Sequence, residues 1–439
     1  MPRTAPEKVH EVIGQHMLAD GLEPIVDLEK SHGSWVYDPI SGKEYLDLFS
    51  CFASMPVGWS HPKIVARKDE LGVAAVNKPT NSDIYSTQMA DFVDTFARVA
   101  KPDYFKYFFF ISGGALAVEN AMKAAFDWKY RREMDKGNTV NPDDLKVIHF
   151  EKAFHGRTGY TLSLTNTADP RKTQYFPKFQ WPRITTPYIT FPMNEGNLAK
   201  VKELEEKAIN QIKQAIADNP NTIASLVIEP IQGEGGDNHF RDEFMVQLRK
   251  ICDEHDIMFI MDEVQSGVGL TGKFWAHEHF SVNPDMIAFG KKTQICGFMS
   301  TNRIDEVEKN VFHESSRINS TWGGNIVDMV RFMMYLEIIE EENLVEHAVT
   351  QGEYLLNKLY ALQDKYSGTI SNARGKGLMC AFDLPDTGTR DKLMQTIWKE
   401  GALILGSGTK ALRFRPHLTV TKDDIDKGID IVEKALLDL

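Results

Sequence analysis

Ile257-Met-Phe-Ile-Met-Asp-Glu-Val-Gln-Ser-Gly-Val-Gly269, followed by Pro284-Asp-Met-Ile-Ala-Phe-Gly-Lys-Lys292, is the stretch around which this chain is organised. The first part is an apolar run that carries two carboxylates, Asp262 and Glu263, at its tip and then a glycine-rich turn. A buried parallel strand delivers polar groups to a site at its carboxyl end in this way. The second part is a strand, Met286 to Phe289, that ends on Gly290, Lys291 and Lys292. A carboxylate at one strand end and a lysine at a nearby one suit a site that holds a cationic ring nitrogen and forms a Schiff base.

Outward from this stretch, strands alternate with helical segments between about residues 79 and 292. Tyr104 to Ser112 reads as an aromatic strand, and Gly113-Gly114 opens a helix from Ala115 to about Arg132. Lys146 to Glu151 and Ala224 to Pro230 read as strands, and Asp242 to His255 as an amphipathic helix leading into the strand that ends at Asp262. The alternation predicts a mostly parallel sheet covered by helices, an α/β fold with its ligand beyond the carboxyl ends of the strands.

The flanks differ in texture. Gly33 to Pro39 and Glu44 to Phe49 form a hairpin too small to fold alone, Cys51 to Ser60 reads as loop, and a helix starts near His61-Pro62-Lys63. After Gly324 come helices over 325–342 and 345–363, strands over 377–384 and 402–405, a helix over 390–400 and a last helix from Lys422. The division predicted is an N-terminal segment, 1–65, that contributes to the small domain, a large domain over 66–325, and a C-terminal small α+β domain over 326–439.

The 439 residues carry a formal net charge of −12 with no basic run, so nucleic-acid binding is a poor first reading. Cys51, Cys252, Cys296 and Cys380 are scattered, which suggests neither a zinc knuckle nor a disulfide framework; no metal is expected, and free thiols fit a reducing cytoplasm. Met1 to Gly14 is too polar for a signal peptide, and no apolar run nears the ~20 residues of a membrane span. The expectation is a soluble cytoplasmic protein.

The chemistry gathers at three places. Ser112-Gly113-Gly114-Ala115 lies between a strand and a helix, where glycines admit a ligand and free N–H groups offer a phosphate seat; the same turn also serves as a plain connection. Asp262 at its strand end can pair with a protonated ring nitrogen, a flat ring can rest on Val264, and Gln265 can donate to a ring oxygen. A lysine at the end of a buried strand tends to lose its proton or form an imine. Phosphate seat, aspartate and lysine together describe a pyridoxal phosphate (PLP) site.

At this point the sequence resembles the class III aminotransferases of PLP fold type I. The resemblance spans nearly the whole chain, and its most specific signature is Asp262-Glu-Val-Gln-Ser-Gly-Val-Gly with Lys291 following Pro284-Asp285. Asn77-Lys-Pro-Thr-Asn-Ser-Asp-Ile-Tyr-Ser, Gly113-Gly-Ala-Leu-Ala-Val-Glu-Asn-Ala, Gly290-Lys-Lys-Thr-Gln-Ile-Cys-Gly and Asn319-Ser-Thr-Trp-Gly-Gly-Asn resemble the branch that acts on lysine. The chain departs from the commoner family patterns at Gly114-Ala115-Leu116, Lys291-Lys292-Thr293 and Pro416-His417-Leu418, and these departures favour the same branch.

The resemblance implies a seven-stranded sheet in the large domain and a homodimer with a shared active site. It implies that Lys291 is the Schiff-base lysine, with Lys292 its neighbour and rival, and that Asp262 pairs with the ring nitrogen while Gln265 contacts the phenolic oxygen. Phe154 stacks on the ring, Gly114 and Ala115 bind the phosphate, Ser320 contacts the cofactor and Thr321 reaches it from the partner subunit. Glu229 matches a family carboxylate near the site.

The implied substrates are L-lysine and 2-oxoglutarate. Arg157 and Arg413 grip carboxylates, with Arg415 as the rival to Arg413, and Asn319 contacts substrate. Glu234, in a glycine-flanked loop free enough to swing, is implied to pair with Arg413 when lysine is bound and to leave it for 2-oxoglutarate. The alternatives are an ω-aminotransferase acting on ornithine, acetylornithine or 4-aminobutyrate, or a fold type I decarboxylase or aminomutase.

Overall fold

The structure is a computed structural model that describes residues 4–439; of the polar opening stretch 1–14, residues 1–3 lie outside the described residues. Its centre is a seven-stranded sheet in the order Phe105–Ile111, Cys296–Thr301, Met286–Phe289, Met258–Asp262, Ile223–Ile228, Lys146–Phe150, Arg183–Ile184. Cys296–Thr301 runs antiparallel to both neighbours. Every other pair is parallel.

The central strands are apolar on both faces because helices cover both. Every residue of Ile223–Ile228, Met258–Asp262 and Met286–Phe289 is buried. Parallel pairing sets Ala288 opposite Asp262, and the Glu263 N–H donates to the Ala288 carbonyl at 2.8 Å. The Asp262 and Lys291 ends therefore emerge side by side. The Gly114–Asp135 helix packs on this sheet, burying Ala117, Ala121, Ala124 and Trp128 among other residues.

Cys296–Thr301 is a strand that the sequence reading does not contain. It is buried along nearly its whole length and so has no alternating pattern. A Cβ at its Gly297 would lie 2.0 Å from the Phe109 carbonyl, a spacing that glycine alone allows.

Besides a two-stranded ladder of Ile231–Gln232 with Asn238–His239, whose loop carries Glu234, two smaller sheets accompany the large one. Trp35–Asp38 and Lys43–Asp47 form the expected hairpin, and Ala402–Leu403 completes its sheet. Ser371–Lys376, Met379–Asp383, Ala411–Phe414 and Leu405–Ser407 form the other, with Arg413 opposite Ala381.

The start of the predicted 51–60 loop is instead one left-handed turn, Ser50–Ala53, with φ from 41° to 62° at four successive non-glycine residues. Each such residue costs roughly 1–2 kcal/mol. Surrounding bonds hold the turn: Asp47 Oδ1 accepts from the Phe49 and Ser50 N–H groups at 3.0 and 2.6 Å, and Ser50 Oγ donates to the Arg415 carbonyl at 2.6 Å. The turn aims the Ala53 carbonyl at Lys292.

Candidate active site

Asp262 is fixed at both carboxylate oxygens. Oδ1 accepts the Val264 N–H at 3.0 Å, and Oδ2 lies 2.8 Å from His155 Nδ1. Burial works against a charge on His155, but the bond to Asp262 and the charges of Asp262 and Glu229 hold its pKa above the ordinary histidine range. His155 has no role in the sequence reading. Its partner lies 107 residues away and becomes visible only in the fold.

The two lysines separate. Lys292 is buried, which pushes its pKa down to about 7, and its Nζ donates to the Gln265 carbonyl at 2.6 Å and the Ala53 carbonyl at 3.4 Å. Lys291 follows an extended Gly290 and takes a left-handed φ of 52°. Its Nζ has no hydrogen-bond partner among the described residues. Burial, aided by the Arg413 charge, pushes the Lys291 pKa down to about 8 from 10.5. An amine that readily sheds its proton beside a charged carboxylate is suited to attack a carbonyl carbon.

The helix N-terminus meets these groups directly. A Cβ on Gly114 would lie 2.9 Å from Val264 Cγ1, and one on Gly290 would lie 3.4 Å from the Gly114 Cα. Gly113, at φ 108°, is the N-cap without any side-chain cap, and space opens around it. The first-turn N–H groups are thus available to an anion, and the helix dipole favours one. Uncapped helix end, apolar Val264, fixed carboxylate and lysine are the donor set that PLP requires, so these residues fit that cofactor.

Phe154 is held by its own backbone: its N–H donates to Glu229 Oε1 at 2.9 Å, and Glu229 Oε2 accepts the Gly233 N–H at 3.1 Å. Burial pushes the Glu229 carboxyl up to about 7, although the His155 charge opposes this. Gly156, at φ 121°, brings the loop onto the helix, since a Cβ there would lie 2.4 Å from the Ala115 Cβ.

Arg413 is buried, and its Nη1 has no hydrogen-bond partner among the described residues. Burial pushes it down to about 10, with Glu234 opposing. Arg415 is no surface charge. It is 1% exposed and ion-paired with Asp237, which the sequence analysis did not single out. Its Nη2 also lies 3.4 Å from Gln265 Oε1. Glu234 sits on Thr167 and Lys172, and its loop is pinned rather than free.

The remaining candidates make no hydrogen bond to this cluster among the described residues. Arg157 is exposed. Asn319, Ser320 and Thr321 form a turn in which Asn319 Oδ1 accepts the Ser320 N–H at 2.8 Å. That turn packs against Ser82, whose Oγ donates to the Ser320 carbonyl at 3.0 Å. No hydrogen bond joins it to Asp262, Lys291 or the helix end among the described residues.

The sequence and fold have known counterparts. The L-lysine-epsilon aminotransferase of Mycobacterium bovis is 50% identical over 437 residues, covering 99% of this chain and 96% of that protein. That of Streptomyces clavuligerus is 48% identical over 436 residues, 98% of this chain and 94% of that protein. A lysine aminotransferase structure from M. tuberculosis superposes with a TM-score of 0.96 at 50% identity, covering 99% of this chain and 100% of that one. The family model for class-III aminotransferases matches residues 17–436, and the chain belongs to that family.

Proposed function

We propose that this protein is a PLP-dependent aminotransferase that moves the ε-amino group of L-lysine to 2-oxoglutarate. The products are L-glutamate and 2-aminoadipate 6-semialdehyde, which closes to 1-piperideine-6-carboxylate. The observation that carries this reading is the near full-length match, at about half identity, to proteins named L-lysine-epsilon aminotransferase.

Bound PLP supplies an aldehyde that accepts an amine and a ring that draws electrons from the carbon bearing it. Lys291 Nζ would hold the cofactor, and its free amine would be the group to take and return a proton at the substrate carbon. Asp262, oriented by His155 and the Val264 N–H, would hold a proton on the ring nitrogen. Gln265 would contact the phenolic oxygen, Val264 and Phe154 would hold the ring, and Gly114 and Ala115 would bind the phosphate through their N–H groups. Lys292 serves the fold by tying the 50–53 turn to the Gln265 carbonyl.

The two substrates make opposite demands. Lysine must present its far amine, so its α-carboxylate goes to Arg157. Arg413, buried beside the chain, then needs a countercharge, because a bare buried charge costs about several kcal/mol. Glu234 supplies it. With 2-oxoglutarate the keto group faces the cofactor, so the near carboxylate takes Arg413, the far one takes Arg157, and Glu234 withdraws.

In this reading 326–439 is the smaller domain, to which the 1–65 segment contributes, and 66–325 is the larger. The protein acts as a homodimer in the cytoplasm, with Asn319, Ser320 and Thr321 serving the partner's site. Exposed apolar side chains near that turn, Trp322 at 42% and Tyr85 at 77%, suit burial by a second copy. Among the described residues, no helix is long and apolar enough to cross a membrane.

The test is a donor panel with 2-oxoglutarate and added PLP. Lysine should give glutamate and a six-membered cyclic imine, and Lys291→Ala should give neither. Preference for ornithine or 4-aminobutyrate would overturn the substrate, and full activity of Lys291→Ala would overturn the site.

A further inference from the structure

Glu234 is ion-paired with Lys172 and makes no hydrogen bond to Arg413 among the described residues. Oε1 accepts from Thr167 Oγ1 at 2.7 Å and from Lys172 Nζ at 2.6 Å. Oε2 and Arg413 Nη1 are both buried without hydrogen-bond partners among the described residues. The two groups are nevertheless close enough for the Glu234 charge to favour the protonated form of Arg413.

The backbone at Glu234 has little room to move. Its carbonyl accepts the Gly408 N–H at 2.7 Å, and the Gly233 N–H is held by Glu229 at 3.1 Å. A Cβ on Gly233 would lie 2.0 Å from Gln265 Oε1, and one on Gly235 would lie 2.0 Å from the Lys152 carbonyl. The glycines are there for close approach, so any relocation of the carboxylate is a rotation of the side chain.

We propose that Lys172 and Thr167 form the second seat of a two-position switch, holding Glu234 off Arg413 while 2-oxoglutarate occupies the site and releasing it when lysine enters. The proposal rests on the lysine and 2-oxoglutarate reading above. A carboxylate that leaves one cation in a part-buried site needs another partner, or its desolvation opposes the move. Lys172 ends a short turn, Pro170–Lys172, that Asp169 caps, and its ammonium lies 5.8 Å from the Phe154 ring centroid. At 33% side-chain exposure its pair with Glu234 is partly solvated, which makes it releasable. A pair of this kind biases an equilibrium by about two- to fivefold. Lys172 is thus a positioning residue that acts through Glu234.

The test is Lys172→Met in the full-length, PLP-loaded enzyme, with the KM of each substrate measured. Loss of the second seat favours Glu234 on Arg413, so the KM for 2-oxoglutarate should rise by about two- to fivefold while the KM for lysine falls. Lys172→Arg should restore both values. In a Glu234→Gln background Lys172→Met should shift neither, because a neutral amide needs no cation. Both KM values rising together, or the opposed shift persisting in the Glu234→Gln background, would overturn the seat. Failure of the underlying reading looks different: Glu234→Gln alone would then leave both KM values where they were.

Discussion

The clearest prediction concerns Asp237. Asp237 and Arg415 are each 1% exposed and ion-paired with each other. Asp237 Oδ2 also accepts from Ser407 Oγ at 2.7 Å. Asp237→Leu leaves the guanidinium of Arg415 buried with no carboxylate beside it. Breaking one side of such a pair costs about 3–5 kcal/mol, chiefly through the uncompensated charge. With an unfolding entropy of about 2.1 cal/mol/K per residue, a chain of 439 residues that melts as one unit shifts by about 1 °C per kcal/mol. Asp237→Leu should therefore lower Tm by about 3–5 °C in a thermal scan. Arg415→Met should also destabilise, because it leaves a buried carboxylate. The double variant should recover most of the loss, since replacing both partners of a buried pair by apolar groups is often neutral. It should also keep a 2-oxoglutarate KM far closer to the parent's than Arg413→Met does. A double variant that melts below both single variants would refute the pairing argument. One as impaired toward 2-oxoglutarate as Arg413→Met would refute the division of labour between the two arginines.

Two further predictions follow from the charges around the cofactor seat. The Lys291 pKa is lowered from 10.5 to about 8, so the unfolded chain holds more protons between those pH values than the folded one. The penalty for burying the ammonium is complete below about pH 8 and absent above about pH 10.5, which adds a stabilising slope with rising pH across that window. The rate at which cofactor-free protein takes up PLP should climb through about pH 8 and level off above it; a flat profile would count against a reactive Lys291 amine. His155→Asn removes the imidazole from Asp262 Oδ2, a bond to a charged group worth about 1.5–3 kcal/mol. PLP affinity and kcat together should lose roughly ten- to a hundredfold, read by PLP titration and turnover, and an unchanged affinity and rate would remove His155 from the site.

What was legible in the sequence had local signals. The Met258–Asp262 and Met286–Phe289 strands carry their burial in their own residues, and parallel pairing then puts Asp262 and Lys291 at one edge without further information. The glycines at 113 and 114 announce the helix start for the same reason. Long-range pairing left no such signal. Nothing near Asp237 shows that Arg415, 178 residues on, needs it, and nothing near His155 points to Asp262. The loop around Glu234 shows how such a signal misleads. Gly233 and Gly235 suggest flexibility, yet each is tightly packed against a neighbour across the fold. Sequence chemistry and family resemblance could name the carboxylate and one of its cations. The second cation, Lys172, lies in an ordinary polar turn, and its meaning depends on where a single side chain comes to rest. For this reason substrate preference in this chain is to be sought in residues like Lys172 and Thr167 as much as in the groups that touch the substrates. Their substitution can redistribute Glu234 between its seats while leaving Lys291, Asp262 and the helix end in place.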